Sequence, residues 1–309
     1  MEKIYDVIII GSGPAGMSAA VYAGRAGLDT LLIEYDAPGG KMVKTQEIQN
    51  WPGQVDVAGP KLAYEMYKHA LAYGAKFIGA KIVKLSTDEQ NIHTLTTDNG
   101  TKYQTRTVLL GTGTQEKTFD LPNLSKFEGR GISYCAICDG SFYKNQEIAV
   151  FGGGNAALEE AIYLTQFATK VYLVHRRQGF RASQHVIEQV QAHPKIELML
   201  DYTLAEILEE EAKFAGVIIK HKDDTEVQLN IAGMFIYIGA QPRNELLKDI
   251  AKLDEVGYII VNEKMETGLS GIYAIGDICA KTLRQVVTAT GDGAIAAQEA
   301  FHYIEKQFK

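Results

Sequence analysis

Two cysteines separated by two residues, with a carboxylate directly after the second, stand in the stretch Tyr134-Cys135-Ala136-Ile137-Cys138-Asp139-Gly140. That spacing lets both sulfurs close one small ring, so the pair can cycle between dithiol and disulfide. An acid beside the second sulfur could supply or take the proton that thiol–disulfide exchange requires. Cys135, Cys138 and Asp139 are therefore the candidate catalytic residues. Half of a zinc site has the same spacing, but zinc typically takes four ligands. The chain has no second Cys-x-x-Cys and no His-x-His cluster, so no metal is expected.

Glycine-rich loops on either side of this centre have the spacing that cradles a pyrophosphate. Residues 5–10 read as a buried parallel strand, followed by Gly11-Ser12-Gly13-Pro14-Ala15-Gly16 and a helical stretch over 17–26. A second strand, 30–33, ends at Glu34. This is the strand–GxGxxG–helix–strand–acid order of a dinucleotide-binding unit. Gly11 makes the turn, Gly13 admits the pyrophosphate, Gly16 lets the helix lie close to the strand, and the helix N-terminus faces the phosphates. Glu34 would accept hydrogen bonds from the adenosine ribose hydroxyls.

The same order returns after the cysteines. A strand over 147–151 leads into Gly152-Gly153-Gly154-Asn155-Ala156-Ala157, then a helix over about 158–167 and a strand over 170–174. Gly11 to Glu34 is 23 positions (34 − 11), and Gly152 to Arg176 is 24 (176 − 152). The ribose-reading position thus carries His175-Arg176-Arg177, with Arg181 close behind. An acid there suits a free 2′-hydroxyl, whereas guanidinium groups suit a 2′-phosphate. The first unit should hold a dinucleotide such as FAD and the second NADPH.

The remaining elements support these loops. Pro38-Gly39-Gly40-Lys41-Met42 and Ile48-Gln49-Asn50-Trp51-Pro52-Gly53 read as irregular loops able to surround a ring system. A helix is expected over 61–73, strands over 76–108 with a hairpin at Asp98-Asn99-Gly100, and a buried strand ending at Gly111-Thr112-Gly113. Strands and hairpins should fill 195–237, with Glu209-Glu210-Glu211 on a solvated face or turn and Gly239-Ala240-Gln241-Pro242 as a crossover loop. The strand at 271–275 puts Gly276-Asp277 at its carboxyl end, where α/β folds place ligand contacts. A helix over about 286–305, interrupted at Gly291-Asp292-Gly293, could stabilise negative charge on a reduced flavin. The expected class is α/β, with two Rossmann-like domains. The NADPH domain (118–244) carries the Cys-x-x-Cys and is inserted into a discontinuous FAD domain (1–117 and 245–309).

Composition fits this reading. The 309 residues are 46% hydrophobic and 22% charged, ordinary for a globular chain of about two domains. A formal charge of −7 argues against broad binding to nucleic acid or an anionic membrane. No stretch is long and apolar enough for a membrane span, and residues 1–10 do not read as a signal peptide. Three cysteines are too few for a secreted disulfide scaffold, so a cytoplasmic location is expected, with Cys279 a free structural thiol.

Taken together, these motifs closely resemble the bacterial low-molecular-weight thioredoxin reductases over nearly the whole chain. Gly-Ser-Gly-Pro-Ala-Gly, Cys-Ala-Ile-Cys-Asp-Gly and Gly-Gly-Gly-Asn-Ala-Ala carry the resemblance. So do His175-Arg176-Arg177 with Phe180-Arg181-Ala182, Gly276-Asp277, and Arg284-Gln285 before Gly291-Asp292-Gly293. The resemblance implies FAD contacts at Gly11, Ser12, Gly13, Pro14, Ala15, Gly16, Glu34, Gly40, Lys41, Gln46, Asn50, Val83, Gly113, Asp277, Arg284, Gln285, Val286 and Ala294. It implies NADPH contacts at Gly152, Gly154, Asn155, Ala156, His175, Arg176, Arg177 and Arg181.

It further implies that Cys138 lies next to the flavin, that Cys135 attacks the disulfide of thioredoxin, that Asp139 is the acid/base, and that two chains form a homodimer. The nicotinamide and the disulfide would take turns at the flavin through rotation of the inserted domain. The chain departs from the family pattern at Lys41, Gln49, Trp51, Gly111 and Gln178, none of them a catalytic group. The alternative is a reductase of the same build serving another thioredoxin-like protein or a peroxiredoxin.

Overall fold

The computed structural model describes residues 3–45 and 47–308. The chain opens with β1 (Ile4–Ile10), α1 (Pro14–Arg25), β2 (Thr30–Glu34), α2 (Gly59–Ala72), β3 (Lys76–Gly79), β4 (Ile82–Thr87), β5 (His93–Thr97) and β6 (Lys102–Leu110). The short β7 (Thr114–Glu116) leads into β8 (Ile132–Ser133), α3 (Ala136–Asp139), β9 (Glu147–Gly152), α4 (Asn155–Leu164), β10 (Lys170–His175), α5 (Gln184–Ala192) and β11 (Ile196–Leu200). Then come β12 (Tyr202–Glu210), β13 (Lys213–His221), β14 (Glu226–Leu229), β15 (Gly233–Tyr237) and β16 (Ala240–Pro242). The chain closes with β17 (Ile272–Ala274) and α6 (Val286–Phe308).

Two compact units result. The first takes Met1–Gln115 and Gln241–Lys309, and the second Glu116–Ala240. The crossings therefore fall at 115/116 and 240/241, a few residues before the expected 117/118 and 244/245. Arg243 explains the second shift, because it belongs to the first unit. Its N–H bonds the Gly113 carbonyl at 3.0 Å, and its own carbonyl accepts the Thr112 hydroxyl at 2.7 Å. Residues 240–242 are not a loop as expected, but a strand paired with β7. Pairing satisfies backbone groups that a bare crossover would leave to solvent.

The first unit is built on a sheet of order β3-β2-β1-β6-β5-β4. β6 is its branch point: residues 102–105 pair antiparallel with β5, and residues 108–110 pair parallel with β17. Residues 7–10 of β1, 31–33 of β2 and 108–110 of β6 read as apolar runs because both faces are covered there. On one face Val7, Ile9, Leu32 and Leu109 pack with α1, α2 and α6. On the other, Ile8, Ile10, Leu31 and Leu110 meet Leu247, Ile259, Ile278 and Cys279. Cys279 is a free, buried thiol that burial pushes up to about 12, so it stays protonated.

Helix α6 runs unbroken for 23 residues, although Gly291-Asp292-Gly293 suggested an interruption. Each helical glycine costs about 1 kcal/mol relative to alanine. Here close packing on α1 offsets that cost. A Cβ on Gly293 would lie 2.1 Å from the Ala15 carbonyl oxygen, and Ser18 Oγ donates to the Thr290 carbonyl at 2.8 Å. The expected interruption is instead the crossing point of two helices.

The second unit repeats the plan with a parallel sheet of order β11-β10-β9-β15-β8. Ile148, Val150, Val171 and Leu173 pack under α4 and α5. The opposite face, including Ala149, Phe151 and Met234, is covered by the antiparallel sheet β12-β13-β14 through Leu204, Ile207, Val217 and Ile219. Glu209 and Glu210 end β12, and Glu211 sits in the turn that follows, as the sequence suggests.

Candidate functional site

The glycine loop of the first unit is shaped by contacts that exclude a side chain and by one position that admits a ligand. Gly11 has a φ of 101°, and a Cβ there would lie 2.3 Å from the Gly111 carbonyl oxygen. A Cβ on Gly16 would lie 1.9 Å from the Gly11 carbonyl oxygen. At Gly13 nothing lies within 4 Å of a Cβ. This open position sits over the start of α1, whose first residue is Pro14 and which has no side-chain cap. The helix starts three residues earlier than expected, so the loop itself delivers its amide groups.

The acid expected to read the ribose is held in place by the loop. Glu34 Oε2 accepts the Ser12 N–H at 2.9 Å, and Oε1 accepts those of Tyr35 and Asp36 at 2.9 and 3.1 Å. A carboxylate has about four lone-pair sites, so capacity for hydroxyl donors remains. Val83 lies at a register shift in β4, with its side chain exposed.

Other candidates converge from distant parts of the chain. Gly39 N–H bonds the Ser12 carbonyl at 2.8 Å, and a Cβ on Gly40 would lie 3.4 Å from Gly13 Cα. Lys41 Nζ donates to Thr114 Oγ1 at 2.6 Å and stands 3.6 Å from Asp277. Asn50 Nδ2 donates to Gln285 Oε1 at 3.0 Å, across 235 positions of sequence. Arg284 turns away from a purely ligand-binding role: it donates to the carbonyls of Asp277 and Cys279 and stacks over Tyr258. Val286 opens α6 and Ala294 lies on it, both partly exposed. Gly113, with a φ of 66°, has open space at its Cβ position. Gln46 lies outside the described residues.

Asp292 was missed as more than a helix breaker. Its carboxylate accepts the Gly276 N–H at 2.9 Å and pairs with Lys281 at 2.5 Å. It therefore fixes the turn that carries Asp277. An acid between two glycines, on a helix that should otherwise avoid them, was the available signal.

In the second unit, a Cβ on Gly152 would lie 2.5 Å from the Tyr237 carbonyl oxygen, whereas Gly154 meets only the Arg181 carbonyl oxygen, at 3.8 Å. Asn155 and Ala156, both at the start of α4, follow this opening. Arg176, Arg177 and Arg181 are all exposed beyond the end of β10. Arg181 is drawn to the loop by its N–H bond to the Gly153 carbonyl at 2.6 Å, and Asn155 Oδ1 accepts the Ser183 N–H at 2.8 Å. His175 differs from the arginines, being buried. Its ring stacks on Phe180 and blocks any side chain at Gly153. Burial first, then the arginine charges, lower its pKa, so it supports the loop as a neutral ring.

The redox turn lies in the same unit. Cys135 and Cys138 form a disulfide, and the Cys138 N–H points at Cys135 Sγ, 3.2 Å away. Ser133, missed in the sequence, organises the centre. Its hydroxyl donates to Asp139 Oδ2 at 2.6 Å and accepts the Cys135 N–H at 3.0 Å. Burial raises the pKa of Asp139, and the Ser133 hydrogen bond partly offsets this. A carboxyl raised toward neutrality is suited to exchanging a proton with a thiol. Among the described residues, no group of three or more His, Cys, Asp or Glu side chains could hold a metal ion.

Both loops thus fit a dinucleotide, each with a closed turn, an open glycine and a helix start. The second unit adds guanidinium groups and a disulfide with a half-buried acid. The class this defines is matched by the profile of the pyridine nucleotide-disulphide oxidoreductases, which covers residues 5–293. A thioredoxin reductase of Bacillus subtilis (strain 168) is 42% identical over 306 residues, covering 99% of this chain and 96% of that protein. One of Listeria innocua is 43% identical over 306 residues, covering 99% and 95%. The crystal structure of thioredoxin reductase from Streptococcus pyogenes superposes with a TM-score of 0.94 at 40% identity, covering 99% of this chain and all of that one. The chain belongs to the pyridine nucleotide-disulphide oxidoreductases and, within them, to the thioredoxin reductases.

Proposed function

We propose that the chain is an NADPH-dependent thioredoxin-disulfide reductase. The observation that carries this reading is the Cys135–Cys138 disulfide, flanked by a half-buried acid, in the unit that carries three exposed arginines beyond β10. FAD and NADPH are its cofactors, and when bound they would supply the hydride and, through the flavin, the two electrons that open the disulfide. The first unit would hold FAD through Gly11–Gly16, Glu34, Asn50, Asp277 and Gln285. The second would hold NADPH through Gly152, Gly154, Arg176, Arg177 and Arg181.

The work of this chain's residues begins with the dithiol. Cys135, as thiolate, attacks one sulfur of the thioredoxin disulfide. A Cys135–thioredoxin bond forms, the thioredoxin S–S bond breaks, and the departing sulfur takes a proton from Asp139. Cys138 gives its proton to the Asp139 carboxylate and, as thiolate, attacks Cys135 Sγ. The Cys135–thioredoxin bond breaks, the intramolecular disulfide is restored, and the second departing sulfur takes that proton from Asp139, which releases thioredoxin as the dithiol. The Cys138 N–H directed at Cys135 Sγ stabilises negative charge on that sulfur.

Asp139→Asn keeps the shape and removes the proton. It should slow thioredoxin reduction about a hundredfold while NADPH still reduces the flavin at the wild-type rate. Because the raised carboxyl acts as an acid, the wild-type rate should fall as pH rises through its pKa, and this fall should be missing in the variant. Stopped-flow rates within threefold of wild type would remove Asp139 from the mechanism.

The homodimer of the family and a cytoplasmic location are part of the same proposal. Tyr22 on α1 and Tyr64 on α2 are 49% and 59% exposed, large apolar surfaces suited to burial against a second copy. Among the described residues no helix is long and apolar enough to cross a membrane. A sedimentation mass of one chain at micromolar concentration would rule the dimer out.

A further inference from the structure

One side chain joins the nucleotide loop of the second unit to its redox turn. Tyr237 ends β15, where it pairs in register with Gly152, the first glycine of the loop. From that contact its ring reaches the redox turn, and its hydroxyl oxygen accepts the Ala136 N–H at 2.6 Å. Ala136 is buried and is the first residue of α3, where a helical N–H has no partner within the helix.

The charges of three acids act on this hydroxyl. Burial, then the charge of Glu160 on α4, then those of Asp139 and Glu116 raise the phenol well above its usual range, so it stays neutral. Burial and the neighbouring Glu159 push Glu160 up to about 7. Tyr143, which also faces Asp139, is pushed up to about 12, chiefly by burial.

We propose that Tyr237 is a positioning residue for the Cys135–Cys138 couple, its hydroxyl holding the redox turn in the disulfide form and the charge of Glu160 tuning that hold. The inference rests on the reading of this pair as the working redox centre. Reduction adds two electrons and two protons, breaks the S–S bond and leaves two thiols, so the turn is no longer closed covalently. The Ala136–Tyr237 bond therefore stabilises the disulfide more than the dithiol. When Glu160 is ionised, its charge polarises the phenol and makes its oxygen a better acceptor.

The test equilibrates the full-length flavoprotein with dithiothreitol redox buffers at pH 6, 7 and 8 and counts thiols by alkylation after denaturation. Tyr237→Phe should be about tenfold easier to reduce than wild type, roughly 30 mV for a two-electron couple. Wild type should show an added inflection near pH 7, absent from both Tyr237→Phe and Glu160→Gln. NADP⁺ affinity should be unchanged in Tyr237→Phe, because Gly152 is met by the backbone of Tyr237. A Tyr237→Phe potential equivalent to within twofold of wild type would overturn the inference. If that variant does not fold, an inflection retained in Glu160→Gln does so. A wild-type pair that fails to titrate as a two-electron couple would instead overturn the redox reading, and this inference with it.

Discussion

Cys138→Ser removes turnover with thioredoxin, by at least roughly a thousandfold, while the purified protein stays yellow and NADPH still bleaches it. Serine keeps the size of the side chain but cannot form the disulfide with Cys135. Electrons then reach the flavin and stop. The measurement is NADPH oxidation with a thioredoxin as acceptor, run beside anaerobic flavin spectra. Turnover in wild type that vanishes in the variant supports the assigned activity and the role of the pair. If wild-type flavin is bleached but thioredoxin stays oxidised, the acceptor is another protein disulfide. If the variant retains a tenth of wild-type turnover, the Cys135–Cys138 disulfide is not on the route.

The second large effect concerns nucleotide choice. Arg176 and Arg177 are exposed beyond β10, at the position equivalent to Glu34 in the first unit. A hydrogen bond to a charged group contributes about 1.5–3 kcal/mol, so replacing both arginines by alanine should raise the KM for NADPH roughly a hundredfold or more. NADH has no 2′-phosphate, so its weaker turnover should hardly change. The effect should appear in KM rather than kcat, since the phosphate is remote from the transferred hydride. It should also flatten the dependence of NADPH binding on salt. Initial rates with both nucleotides at two ionic strengths decide the matter. Equal losses for NADPH and NADH would mean that the arginines support the fold of the loop rather than read the phosphate.

Both loops were readable from the sequence because backbone geometry leaves few alternatives there. Gly11 and Gly16 touch backbone atoms, and the strands before and after them are continuous apolar runs. What escaped notice were side chains whose partners are distant or merely polar. Ser133 and Tyr237 are ordinary residue types at strand ends, and only folding brings them to Asp139 and Ala136. Tyr237 did leave a trace, as a polar tip closing the buried run 233–237 at a strand's carboxyl end. The two misread elements share one cause. Segments punctuated by glycine or proline at 239–242 and 291–293 suggest loops when taken locally, but tertiary pairing made one a strand and the other a helix crossing.

The split of the first unit has a consequence for synthesis. As the ribosome releases the chain, the second unit is complete once residue 240 has emerged. The sheet begun at β1 is not. Its branch at β6 lacks β17 until residues 272–274 appear, and the face of α1 that receives Gly293 stays uncovered until α6 is made. The part translated first is therefore finished last, and the nascent first unit depends on β17 and α6, more than 150 residues downstream of its opening sheet, for its closure.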